Sequence, residues 1–295
     1  MHRIRLSENF RAVFYAPFYA TRLLGHFSAE GVEVELIDSP SPGAAAAGLL
    51  DGSLDVSWGG PMRVMKARDE VGGPPIMAFC EVVRRDPFYL VARSSIGTFA
   101  LADLAQLRMG SVSEVPTPWL CLQHDLREIG LDPERLTRVA GQSMAENVEA
   151  LAAGTLDVAQ MFEPFAARAE RLGIGRVVHA AAARGETSYT TFLATRDSIA
   201  RNRDAFAAMT RAIARTQAWL AANPPEALAE VVSALYPDVA REDLVAAFSR
   251  YRTARLWATD TRVSPAGFDR LARSLQSGGF IRHLPAYEDC VADLG

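Results

Sequence analysis

A motif written twice in the chain constrains its fold more than any other feature: Leu49-Leu50-Asp51-Gly52-Ser53-Leu54-Asp55-Val56-Ser57 returns as Leu151-Ala152-Ala153-Gly154-Thr155-Leu156-Asp157-Val158-Ala159. Each copy reads as the end of a helix, a glycine stop and a short strand. Each is followed by a proline, Pro61 and Pro164, placed where proline suits the first turn of a new helix. One copy alone would be a helix cap and a strand, a construction open to any α/β protein. Two copies in matching contexts predict two similar lobes. A second pair of similar runs, Phe88 to Ser94 and Thr191 to Asp197, brackets the second copy and is read as the two crossings between lobes. This divides the chain into a discontinuous lobe 1, residues 1–90 and 193–295, and a lobe 2, residues 91–192, with hinges near 89–93 and 192–196.

Periodicity along the chain alternates between β-like and helical, the pattern of an α/β protein whose sheets are mostly parallel and flanked by helices. Strands are predicted over Arg3–Leu6, Val32–Ile37 and Leu54–Trp58, and helices over Phe18–Phe27 and Ala44–Leu50, the last stopping at Gly52. Residues 199–251 read as helical with a break at Asn223-Pro224-Pro225, a flank for the first lobe.

Composition narrows the functional classes. A chain of 295 residues with 49% hydrophobic and 22% charged content has material for two cores. The net charge of −4 supplies no basic field for sequence-independent nucleic-acid binding, and no apolar stretch suits membrane insertion. Lys66 is the only lysine, so Schiff-base chemistry has a single candidate amine. The three cysteines, Cys80, Cys121 and Cys290, and the five histidines are dispersed, with no spacing of metal ligands and no disulfide framework. Neither a metal nor a cofactor is expected. The N-terminus shows no apolar run of signal-peptide length, so as written the chain is expected to stay cytoplasmic, and to be periplasmic if an export segment has been trimmed.

Three stretches carry a resemblance: Gly25-His26-Phe27-Ser28-Ala29-Glu30-Gly31-Val32-Glu33-Val34, Gly52-Ser53-Leu54-Asp55-Val56, and the spaced set Phe206, Thr210, Arg211, Ala212, Ile213, Trp219, Leu220, Asn223, Pro224, Glu226, Ala227. In this order they resemble the SsuA/TauA/THI5-like (NMT1-like) family of the type II periplasmic substrate-binding fold. The resemblance implies capture of a small nutrient for an ABC importer, with a transporter permease as partner. It also implies that the ligand sits among loops at the strand ends, between the lobes.

Residue chemistry in those loops supplies candidates. Asn9 to Tyr19 holds the cluster Phe10, Arg11, Tyr15 and Phe18, rigid rings with polar handles suited to a pocket wall. Trp58, Gly59 and Gly60 form the next strand-end loop, where glycines admit close backbone approach and a helix start offers free amides to an anion. In the second lobe Ser113, Glu114, Thr117 and Trp119 surround another helix start. Glu163 in Phe162-Glu163-Pro164 would face a ligand amine, whereas Arg84, before the first crossing, would pair an acid bidentately. Ser188 and Tyr189 precede the second crossing. Together they suit an anionic or zwitterionic ligand.

An enzyme on the same fold is the alternative, acting on an aromatic or heteroaromatic acid through Glu163, His124 or Cys121. The residues that a pyrimidine-synthase branch of the family would want after the first motif are replaced by Gly59 and Arg63. The cysteine-rich run expected before the second crossing is replaced by Glu186 to Phe192. A desulfinase-like member would need a cysteine in the first strand-end loop, and Asn9 to Tyr19 has none.

Overall fold

The protein, described by a computed structural model over residues 2–8, 10–39, 42–70, 72–73 and 75–294, is built on two five-stranded sheets. The first begins with β1 (His2–Ser7), β2 (Val32–Ile37), β3 (Val56–Gly59) and β4 (Ile76–Val83). The chain then leaves to form the whole second sheet from β5 (Tyr89–Arg93), β6 (Arg108–Val112), β7 (Thr137–Gln142), β8 (Val158–Met161) and β9 (Gly175–Ala180). It returns with β10 (Thr190–Thr195), which inserts between β3 and β4.

The strand orders, β2-β1-β3-β10-β4 and β7-β6-β8-β5-β9, superimpose position for position. β10 and β5 occupy equivalent places, and each is the antiparallel member of an otherwise parallel sheet. The expected hinge segments 89–93 and 192–196 therefore lie largely inside strands. Ladder hydrogen bonds hold both runs within single sheets, and the chain passes between sheets at 84–88 and 181–189.

Helices α1 (Ala16–Leu23), α2 (His26–Ala29), α3 (Pro42–Asp51) and α4 (Met62–Asp69) serve the first sheet. The single helix expected over Phe18–Phe27 is split at Gly25, whose φ of 74° takes the left-handed conformation that glycine adopts freely. α5 (Thr117–Glu128), α6 (Met144–Ala152) and α7 (Phe165–Arg171) flank the second sheet. Beyond β10 run α8 (Arg196–Arg201), α9 (Arg203–Ala222), α10 (Pro225–Val232), α11 (Arg241–Thr253), α12 (Pro265–Ser277) and α13 (Tyr287–Cys290). α9 and α10 pack on α1, as a first-lobe flank should. α11 instead reaches α7 of the second lobe, and α12 reaches α5.

The doubled motif has a physical cause. In the first copy Arg5, on β1, donates from its backbone N–H and its guanidinium to Asp55 and sends Nη2 to the Gly52 carbonyl 2.7 Å away. In the second, Arg108 on β6 does the same to Asp157 and the Gly154 carbonyl, again at 2.7 Å. Both glycines have positive φ, and both motif valines are fully buried in β3 and β8. Burial opposes ionisation of Asp55, yet the Arg5 hydrogen bonds hold its carboxyl below the usual range. Hydrogen bonds from Arg108 do so for Asp157.

Candidate functional site

The carboxyl ends of the parallel strands in both sheets, and the amino ends of the antiparallel β5 and β10, face a common cleft, the place where open α/β sheets hold ligands. An inner chamber of about 40 Å³ lies there. From the first lobe it is lined by Phe10, Phe14 and Tyr15 after β1 and by Gly60, Met62 and Arg63 after β3. Val115, Pro116 and Thr117 face them from the start of α5, and Phe88 and Tyr189 come from the two inter-sheet connections. Thr117 Oγ1 donates to Met62 Sδ at 2.6 Å, a direct tie between the lobes.

Two polar groups mark this chamber: a buried hydroxyl without the partner such groups normally have, and a half-buried guanidinium with no carboxylate partner among the described residues. The Tyr189 hydroxyl is buried with no hydrogen bond, and burial drives its pKa well up. Burial likewise pushes Arg63 below its ordinary range, opposed only by the nearby Tyr15 hydroxyl, with no carboxylate contributing. A cation without a carboxylate partner among the described residues and a free hydroxyl, both lining a small cavity, are complementary to an anion. The chamber has room for on the order of three water-sized groups, the size of an acid head group.

Of the residues expected from sequence, Phe10, Tyr15, Gly60, Thr117 and Tyr189 line this chamber, while Arg11 and Glu114 line a second cavity further out. Asn9 lies outside the described residues. The others sit elsewhere, for identifiable reasons. Trp58 is 1% exposed and stacks on Phe18 at 4.6 Å, so both rings are first-lobe core. Gly59 is a strand residue paired with Thr191. Trp119 lies under the Arg138 guanidinium, 4.5 Å from its ring, beside the helix-side core of the second lobe. Ser113 is exposed, its backbone N–H donating to Gln142.

Arg84 and Ser188 belong to one buried network. Arg84 Nε and Ser188 Oγ each donate to Glu81 at 2.6 Å, and Arg84 also holds Asp260 bidentately. Glu163 is likewise spoken for. It is fully buried, accepts from the Ala167 N–H at 2.8 Å, and has Arg250 Nε 3.0 Å from Oε1 but off the line of a hydrogen bond. Its burial raises its pKa to about 7. With Arg84 and Glu163 both engaged, the zwitterion expectation loses its two charged contacts.

Arg63, Phe14, Met62, Phe88, Val115 and Pro116 are the chamber residues that were not among the candidates chosen from sequence. Position was the available signal, since Met62 and Arg63 directly follow Gly59-Gly60-Pro61. Cys121 is fully buried and burial pushes its thiol up to about 12, while His124 lies 3.7 Å from Glu128, one helical turn along α5. Neither lines the chamber. A further cavity of about 450 Å³ lies beside β4 and residues 291–294, away from the carboxyl ends that form the cleft.

Residues 10–236 match the NMT1-like family. The chain belongs to that family. A relative of the chain is YtlA of Bacillus subtilis (strain 168), named for a binding role, 23% identical over 96% of this chain and 86% of its own length. The periplasmic aliphatic sulphonate binding protein SsuA from Escherichia coli has the same fold with a TM-score of 0.79 at 13% identity, over 99% of this chain and 97% of that one. The alkanesulfonate-binding protein SsuA from Xanthomonas axonopodis pv. citri gives 0.72 at 15% identity, over 97% and 96%. At these identities the two solved structures establish the likeness of fold, that of the type II binding proteins. No helix among the described residues is long and apolar enough to cross a membrane.

Proposed function

We propose that this NMT1-like protein is a solute-binding protein that captures a small organic anion in the inner chamber and delivers it to an ABC-type importer. The observation that carries the reading is Arg63, a half-buried cation with no carboxylate partner among the described residues, lining a head-group-sized cavity beside the free Tyr189 hydroxyl. Capture is reversible and proceeds by closure of two lobes. Lobe 2 is the contiguous segment carrying the second sheet, and the lobes turn about the connections 84–88 and 181–189. The YtlA and SsuA names support the binding role, and the periplasmic SsuA of Escherichia coli supports work outside the cytoplasmic membrane.

The test is a thermal-shift screen of the purified chain against sulfonates, carboxylates, amino acids and neutral analogues, with mass spectrometry of each hit after incubation. A ligand at about a hundred times its Kd adds about 2.7 kcal/mol of stability, a readable shift. Anions recovered unchanged, with no shift in Arg63→Met, are the expected result. Selective hits among neutral compounds, or a hit converted to product, would remove the reading.

A further inference from the structure

Outside the inner chamber the cleft opens into a second cavity of about 480 Å³, within the range of small-ligand sites. Its walls come from both lobes: Phe162, Phe165 and Met144 on one side, Tyr236 and Val239 on the other. Phe10 lines this cavity and the inner chamber alike. Its ring lies 5.4 Å from Tyr15 on the inner side and stacks 6.3 Å from Phe162 on the outer, so it is the partition between the two spaces.

The outer cavity contains polar residues but offers little polar surface. Tyr236 Oη donates to the Ala12 carbonyl at 2.9 Å. Glu114 accepts from the Met144 N–H at 2.9 Å, and Arg11 Nη2 is held by Glu8 at 3.0 Å. With those groups engaged, rings and aliphatic carbon remain for an occupant. A wall of this kind favours a hydrocarbon body.

We infer that the outer cavity holds the apolar body of the captured anion, so that the ligand class is an organic acid carrying an aromatic or branched hydrocarbon group. The acid lies against Arg63 and Tyr189, the body against Phe162, Phe165 and Val239, and Phe10 packs along the junction. This rests on the anion-capture reading and deepens it.

Calorimetric titration of the full chain with matched acids separates the two. The probes are methanesulfonate, butanesulfonate, benzenesulfonate and naphthalenesulfonate, with acetate, benzoate and naphthoate alongside. Affinity is expected to rise about tenfold or more from the shortest acid to the aryl acids as hydrocarbon leaves water. Phe165→Gln and Val239→Gln, both at half-buried positions and checked for unchanged melting, are expected to narrow that ratio several-fold. Equal affinity for short and aryl acids would overturn the inference and leave anion capture standing. So would an aryl preference that survives both substitutions, since the cavity would then serve another occupant, such as an apolar side chain of a partner protein. Binding of no acid in either series would overturn the anion-capture reading and this inference with it.

Discussion

Arg184 and Asp86 meet in the buried seam between the sheets, Nη1 lying 2.5 Å from Oδ2. One residue comes from each inter-sheet connection. Arg184 also holds Asp125 on α5, so a single guanidinium fastens both connections to the second lobe. Burial raises the pKa of Asp86, against the pull of Arg184, so the pair depends on its closeness. Arg184→Met leaves two buried carboxylates without their cation, and the expected loss is ~3–5 kcal/mol, measured by urea unfolding.

Arg63 has the opposite balance. Its charge is partly desolvated without a carboxylate in return, so Arg63→Met is expected to melt at the same temperature as the wild type or higher, while losing anion-induced stabilisation. A marked fall in the ligand-free melting temperature would make Arg63 a structural cation.

Glu163 sets a pH dependence. Burial raises its pKa from 4.5 to about 7, opposed by Arg250, with Glu170 and Asp243 adding to the rise. Tyr251 accepts from its backbone N–H, and Tyr89, its pKa raised chiefly by burial, lies close enough to be raised further by the same carboxylate. The folded chain therefore holds this proton longer than the unfolded chain does. Between those two pKa values the native state binds more protons, so stability falls as pH rises through the window and levels off above it. Melting curves taken from about pH 5 to about pH 8 should show a steeper fall for the wild type than for Glu163→Gln. Parallel curves would show that Glu163 does not titrate there.

The twin Asp–Arg clamps should behave alike. Asp55→Asn and Asp157→Asn each weaken several charge-assisted hydrogen bonds, and each is expected to cost ~1.5–3 kcal/mol of unfolding free energy. Because the clamps lie in different sheets, the double substitution should be additive if the lobes unfold together. Two separate transitions, one moved by each substitution, would show that they do not.

Trp58→Ala distinguishes core from cleft. A ring stacked on Phe18 and 1% exposed should cost ~3–5 kcal/mol on truncation, without ligand present.

The doubling of the fold was legible because each motif residue performs a local task that spacing records: a glycine at positive φ, a buried leucine and valine, an aspartate that clamps the neighbouring strand. The strand-end loops were legible for the same reason, and Phe10, Tyr15, Gly60, Thr117 and Tyr189 come from them to the inner chamber. Partner choice was not legible. Arg84 and Arg63 look alike in sequence, yet Glu81 and Asp260 occupy the first, and no carboxylate among the described residues occupies the second. Glu163 is claimed by Arg250, far along the chain and brought near only when α11 lands on α7. Trp58 was misplaced because one residue separates a strand's buried face from its end.

The return of β10 also orders events at the ribosome. The second sheet takes all its strands from one continuous stretch, β5 to β9, whereas β3 and β4 have no common neighbour until β10 slides between them. The sheet whose first strand is synthesised earliest is therefore the last that can close, and its first four strands must wait, unpaired along two edges, while the later sheet can already be complete.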